Sequence, residues 1–433
     1  MKKRTYLLVT VLALLCSGVL FAAGGAESAA SKKDEGPVVI SYYTWDDGSH
    51  KALIDTFNAT HSHIQVNAQI LPAADYETKL TTLLSGRADI DAFMEKRQSD
   101  MFGQYANGYL EPLDSYIKAT GKPNEAVEAF KSSSVINGDI VVIPWRGGAY
   151  YTYYNKNVFK KAGVPTPDYY VERGEWTWEK FEEVSKAITA ADPKLVGSTI
   201  YIWGGQGFFQ AGQAGDSIVT PDGKIDSIEN VVKQLEMRKR LEDVGAMWSL
   251  IDMKVTKLHY SKQFYDGNVG MLLIGEWFPG QMVVGAKDGL LAFDFEDWGI
   301  TRLPCDQEEY VTVGLPTGNC ITSYSKKKDA AFEFINWMSG PAGAAVAASY
   351  GVLPAAPGEA ARAEIAKNLP KGNSIDYFLE PKRNNTANFS PYGTRVETEF
   401  ATIQEDFLLG NMTVDQFRTK FTKTLNDIIK TTY

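Results

Sequence analysis

The sequence predicts an α/β protein in which an extended crossing joins two lobes, and three observations bear on it. Alternating or β-branched segments interleave with amphipathic helices from Val38 to Met94, which implies a parallel sheet flanked by helices. An extended stretch from Ile140 to Tyr154 is interrupted at Pro144 to Gly148, the pattern of a chain crossing between lobes. Tryptophans and carboxylates gather beside turn residues rather than inside apolar runs, a surface suited to stacking.

The N-terminus carries Lys2, Lys3 and Arg4, an apolar run from Tyr6 to Leu15, and small residues from Ala22 to Gly25. This is the plan of a secretory leader, so residues 1–25 are expected to be a cleaved signal peptide and 26–36 a solvated linker. A membrane-spanning helix is disfavoured by Gly18 and the polar stretch from Glu27 to Gly36. Lipid anchoring at Cys16 is disfavoured by Leu15, which stands where a lipidation signal has a small residue. The expected location is therefore periplasmic or otherwise extracytoplasmic.

Val38 to Tyr43 reads as a strand, and Ser49 as the cap of a helix to about Thr60 that buries Leu53 and Phe57. Ile64, Val66, Ala68 and Ile70 alternate with polar residues as a second strand. Asp75 caps a helix whose inner face holds Tyr76, Leu80, Leu83 and Leu84, and Ile90 to Met94 is the third strand. Parallel sheets bind ligands beyond the carboxyl ends of their strands. Trp45-Asp46-Asp47-Gly48 and Glu95-Lys96-Arg97 fall there.

Asn137-Gly138 signals a hairpin before the interrupted crossing. Helices follow near Thr177 to Thr189 and Ser227 to Val244, then a buried strand from Met271 to Ile274 that ends at Gly275-Glu276-Trp277. Trp298 to Leu303 is expected to cross back. Lys328 to Met338 and the Ala-rich segment opened by Pro341 read as helices. The last helix starts with Thr413 and Gln416 at capping-box spacing and buries Phe417, Phe421, Leu425 and Ile428. The expected lobes are 37–143 with 300–340, and 144–299 with 341–433.

Formal net charge is −9, which argues against a nucleic-acid partner. Cys305 and Cys320 alone follow the leader, one pair that export would allow to oxidise. Four histidines give little metal-binding material, and no cofactor is expected.

A pyranose presents flat C–H faces and a rim of hydroxyls, which aromatic rings and carboxylates, amides or guanidinium groups satisfy. Trp45 with Asp46 and Asp47, Trp145 with Arg146, Trp203 with Gln206, and Glu276 with Trp277 offer that mixture. Arg383, Asn388 and Tyr392 form a further candidate rim. Plainer readings stand beside these: Trp145 and Arg146 as a hinge brace, Trp203 and Gln206 as ordinary turn, Glu95 as a solvated loop acid. Trp176, Trp178, Trp248, Trp298 and Trp337 read as core. A glycoside hydrolase would seek its acid pair among Asp46, Asp47, Glu95 and Glu276. No nucleophile elbow, phosphate loop or metal spacing accompanies them, so no enzyme is expected. A binding protein for a metal, polyamine or peptide is the other alternative. Tyr150-Tyr151 and Tyr153-Tyr154 offer the ligand type of tyrosinate iron sites, although strand alternation accounts for their spacing.

Several blocks carry a family resemblance in order. FNATHSHIQVNAQILPAADYETKLTTLLSGRADIDAF and YANGYLEPLDSYI lie within Phe57 to Ile117, and GDIVVIPWRGGAYYTYYNKNVFKKAG spans Gly138 to Gly163. GNVGMLLIGEW at Gly267 to Trp277, then Gly299 to Pro304 and Thr317 to Pro354, follow. Together they resemble the extracellular solute-binding protein family 1. The family's common Pro-Asp-Val appears here as Asp89-Ile90-Asp91. The resemblance implies the two-lobed periplasmic binding protein fold (type II, maltose-binding-protein-like), and a monomer that captures a mono- or oligosaccharide in the cleft for the permease subunits of an ABC transporter. Chemoreceptors are a further partner class it implies. It places a stacking tryptophan at Trp277, raises Glu95 as a ligand residue, and adds Asn319 from the Thr317 block.

Overall fold

The computed structural model describes residues 36–45, 48–373, 375–379 and 382–432. The expected signal peptide, Cys16, nearly all of the linker, and the candidate site residues Asp46 and Asp47 lie outside the described residues.

The alternation seen in the sequence produces the first sheet. Val38–Trp45 runs parallel to Ile64–Leu71 on one side and Ala92–Glu95 on the other. Thr317–Ile321 and Ile143–Arg146 complete it, both antiparallel to their neighbours. The His50–Thr60 helix covers it through Leu53 and Phe57, each fully buried; Ser49 stands at its N-cap position, as expected, but its side chain makes no capping hydrogen bond. Burial along Ile64–Leu71 fades, with Ile64 and Val66 inside but Ile70 43% exposed, because this is the edge strand and its far end outruns the helical cover. Asn137 and Gly138 take φ of +51° and +96°, as a two-residue hairpin turn requires.

The crossing differs from expectation. Pro144 does not interrupt the chain: Ile143–Arg146 is the other edge strand, where a missing N–H is tolerated. The break is only Gly147 to Ala149, and Tyr150–Asn155 then enters a second sheet. That sheet runs Trp298–Thr301, Tyr150–Asn155, Val269–Gly275, Val196–Ile200. Trp298–Thr301 is thus a strand, antiparallel to Tyr150–Asn155, and not the return crossing. Trp298 and Ile300 are fully buried in the second core, which holds it there. The return comes later, before Thr317. The Pro341–Ser349 helix is shared, with Ala347 in the first core and Ala344 and Ala348 in the second.

The two crossings touch backbone to backbone. Gly148 has φ +74°, and a Cβ there would sit 1.8 Å from the Leu315 carbonyl oxygen. A Cβ on Gly314 would sit 1.5 Å from the Gly148 carbonyl oxygen. Only glycine allows this approach.

The last helix, Val414–Thr432, carries the expected reciprocal cap: Thr413 N–H donates to Gln416 Oε1 at 2.7 Å, and Gln416 N–H to Thr413 Oγ1 at 3.2 Å. The cysteine pairing does not form. Cys320 is buried in the first sheet, whereas the Cys305 N–H bonds the Trp176 carbonyl; both thiols are free. Among the described residues, no helix is long and apolar enough to cross a membrane.

Candidate functional site

A cavity of about 940 Å³ opens between segments of the two sheets. One wall comes from the first sheet's strand ends, with Trp45, Lys96 and Arg97, joined by Glu77 from the Tyr76–Ser85 helix. The facing wall comes from the second, with Tyr150, Trp203, Gln206, Tyr260 and Trp277. Arg146, Gly148 and Thr317 of the crossings form the floor, and Asn388 and Glu397 of the C-terminal segment close one end.

The Val269–Gly275 strand positions Trp277. A Cβ on Gly275 would meet the Trp277 ring at 2.0 Å, so the glycine lets the indole fold over the strand end. Trp277 Nε1 donates to the Tyr260 hydroxyl at 2.9 Å, and Gln281 Nε2 donates to the same oxygen at 3.0 Å. Burial pushes the Tyr260 phenol up to about 12, so it stays neutral. Trp203 lies beside them, its ring centre 5.9 Å from Trp277 and 5.6 Å from Tyr260, and is 41% exposed. The Trp277 indole is therefore held in place by the protein's own hydrogen bond.

Arg146 lies at the floor, its guanidinium carbon 5.6 Å from the Trp277 ring centre and 5.9 Å from that of Trp45. Its Nε pairs with Glu276 Oε1 at 3.2 Å, and Nη2 donates to Thr317 Oγ1 at 3.2 Å. Burial lifts the Glu276 carboxyl above its usual range, and the Arg146 charge opposes that lift. The two groups stand side by side and offset each other at the floor.

Gln206 is 1% exposed, yet neither its side-chain oxygen nor its nitrogen has a hydrogen-bond partner among the described residues. Its main chain is fixed: Gln234 Nε2 donates to the Gln206 carbonyl at 2.6 Å, and Gln206 N–H bonds Trp203 O at 3.0 Å. A buried unpaired amide costs about 1–3 kcal/mol, which a ligand offering both a donor and an acceptor would recover.

The sequence candidates thus divide. Trp45, Arg146, Trp203, Gln206, Glu276, Trp277 and Asn388 line the cavity, Trp45 with only 4% of its surface exposed. Trp145 does not line it: it is core, donating through Nε1 to Met94 sulfur. Asn319 does not either. It is fully buried, accepting from the Tyr42 hydroxyl at 2.7 Å as a strut inside the first sheet. Arg383 braces the first crossing by donating to the Gly147 carbonyl, and Tyr392 packs in the C-terminal helical core.

Glu95 lies beneath the turn that lines the cavity rather than in it. It accepts from Arg97 N–H at 2.9 Å and Gln104 Nε2 at 2.6 Å, and burial, then nearby Asp100, pushes its carboxyl up to about 8. Of the tyrosine pairs, only Tyr150 reaches the cavity; Tyr151, Tyr153 and Tyr154 are buried. No group of three or more His, Cys, Asp or Glu side chains is arranged to hold a metal among the described residues.

Sequence reasoning placed Arg97 at a strand end facing the site without giving it a role, and missed Tyr260 and Glu397. Glu397 had a signal: it stands three residues before Phe400 on the buried side of the Gly393–Leu408 helix, a polar residue where the pattern wants an apolar one.

A family model for bacterial extracellular solute-binding proteins matches residues 46–345. A Brucella abortus binding protein is 24% identical over 330 residues, 71% of this chain and 73% of the relative. Among solved structures, a sugar transporter protein from Rhizobium etli in an open conformation is similar at TM-score 0.74 and 25% identity, over 91% of this chain and 99% of that one. An ABC substrate-binding protein from Listeria monocytogenes in complex with cycloalternan is similar at TM-score 0.75 and 24% identity, with the same coverage. A cyclic α-maltosyl-1,6-maltose binding protein from Arthrobacter globiformis is similar at TM-score 0.70 and 20% identity, over 91% of this chain and all of the other.

Proposed function

The chain belongs to the bacterial extracellular solute-binding protein family, and we propose that it is an exported, non-catalytic receptor that captures a neutral carbohydrate and delivers it to an ABC transporter. The observation that carries this reading is the buried, unpartnered amide of Gln206 set beside the preorganised rings of Trp203 and Trp277. An amide can accept from one sugar hydroxyl and donate to its neighbour while the rings cover a C–H face. Cavity volume and a charge-balanced floor fit the same ligand class, and the sugars bound by the Listeria and Arthrobacter proteins lend it support.

Walls from both sheets would grip one ligand, so binding favours a closed arrangement of the lobes about the Gly147 to Ala149 and Gly314 to Pro316 crossings. Leader cleavage would place the mature N-terminus between about Ala22 and Glu27.

The test is calorimetry and thermal shift of the mature protein against maltose, maltotriose, cellobiose, raffinose, cycloalternan and D-xylose, with spermidine, a tripeptide and ferric citrate as non-sugar controls. At a hundredfold excess over Kd a true ligand adds about 2.7 kcal/mol of stability. A shift from a control and from none of the sugars would overturn the carbohydrate reading. Sustained product formation would overturn the non-catalytic one.

A further inference from the structure

We propose that Glu397 is a positioning residue for ligand recognition: from the Gly393–Leu408 helix it clamps the loop between Trp203 and Gln206, and so sets where the stacking ring and the reading amide stand. The proposal rests on the cavity being the ligand site.

Both carboxylate oxygens are used. Oε1 accepts the Gly205 N–H at 3.0 Å, and Oε2 accepts Asn388 Nδ2 at 3.1 Å. Gly204 and Gly205 are the residues between Trp203 and Gln206, so the clamp acts at the middle of the recognition loop. Contact there is close. A Cβ on Gly204 would meet Glu397 Cγ at 2.8 Å and the Glu397 carbonyl oxygen at 3.0 Å, leaving no room for a side chain between loop and helix. The loop's other tie is neutral, the Gln234 amide on the Gln206 carbonyl. When ionised, Glu397 is the charged half of this support, and charge-assisted hydrogen bonds are the stronger kind.

Glu397 also lines the cavity, facing groups from both lobes. Burial raises its pKa; Gly205 N–H, Arg97 and Asn388 lower it, and Asp100 raises it. The Tyr150 phenol shares its field and is itself held neutral by burial. Arg97 belongs to the first wall, so the carboxylate that orders the second wall is favoured by a cation from the first.

Two variants and two readouts test this. Glu397→Gln keeps the size but removes the charge and sets an NH2 group against a donor. Gly204→Ala pushes the loop and helix apart from the other side. Without any sugar, hydrogen exchange of the 201–210 peptide should accelerate at least tenfold in Glu397→Gln, while the Val414–Thr432 helix exchanges as before. With the tightest binder of the sugar panel above, each variant should lose at least fivefold in affinity. The double variant should lose no more than the worse single one, because both break one contact.

The pH profile separates positioning from bulk stability. Wild-type affinity should rise with pH as Glu397 ionises, and Glu397→Gln should lack that step. Unchanged exchange in the 201–210 peptide, or losses that multiply in the double variant, would overturn the clamp. If a non-sugar control binds and no sugar in the panel does, the carbohydrate reading falls, and the sugar-free exchange experiment still decides the clamp.

Discussion

The two walls of the cavity are built of different material. The first wall carries Lys96 and Arg97 on long stems, with Lys96 Nζ 3.2 Å from Glu77 Oε1 and 5.6 Å above the Trp45 ring centre. The second carries rings tied in place, as Trp277 is to Tyr260. Partly exposed ion pairs such as this one are worth about 0–1 kcal/mol and rearrange readily. Locked aromatic surface gives its whole contact area to a ligand with little ordering cost. The contrast suggests a division of labour. If the cavity takes a sugar as proposed, the second wall would cover its face and the first would adapt to the hydroxyl rim on closure.

The largest expected effect tests the second wall. Trp277→Ala should weaken binding of the panel sugar at least tenfold, about 1.4 kcal/mol or more, measured by calorimetry. Unchanged affinity, with no ligand-dependent compaction in small-angle scattering, would break the comparison. Next, Gln206→Leu should lose about fivefold or more in affinity, yet keep or gain thermal stability, because it removes an unsatisfied buried amide. A fall in melting temperature without sugar would mean the amide is satisfied in the free protein.

On the first wall, Lys96→Ala should cost about twofold or less, in keeping with a partly exposed pair. A loss matching that of Trp277→Ala would reverse the assignment of roles.

The smallest effect on affinity should come from Glu95→Gln, whose signature is in stability. Folding raises the Glu95 pKa to about 8 through burial and Asp100. The folded state therefore holds a proton that the unfolded state has released, and wild type should lose stability as pH rises from about 4.5 to about 8. Glu95→Gln should flatten that slope in melts across the range. A parallel slope in the variant would remove Glu95 as its source.

Much of this frame is legible in the chain. Strand alternation, the Asn137-Gly138 turn and the Thr413/Gln416 cap act within a few residues, so spacing reveals them. The crossing was harder because Pro144 reads as a breaker, and only the sheet shows that it occupies an edge where its missing N–H does no harm. The sequence reads Trp298 to Leu303 as a return crossing because nothing local reveals that Trp298–Thr301 pairs with Tyr150–Asn155, more than a hundred residues earlier.

Within the site, the turn clusters Trp203 to Gln206 and Glu276-Trp277 were visible as aromatic and polar residues beside glycines. Trp145 and Asn319 carry the same chemistry but point into the first core, a direction composition does not encode. Glu397 reaches the loop across nearly two hundred residues of sequence, and such convergence appears only in the fold.

The contact between Gly148 and Gly314 has a consequence for how far the sequence can drift. At most crowded positions a new methyl group is absorbed by a neighbouring side chain that shrinks or turns. Here the obstructing atoms are the Leu315 and Gly148 carbonyl oxygens, which no substitution can remove. Gly148 adds a left-handed φ of +74° that an L side chain resists. By contrast, a Cβ at Gly103 or Gly358 would meet nothing within 4 Å. Under random mutagenesis with selection for folded protein, Gly103 and Gly358 should accept alanine freely. Gly148 and Gly314 should remain closed to compensation, though neither side of that contact offers a side chain to the ligand.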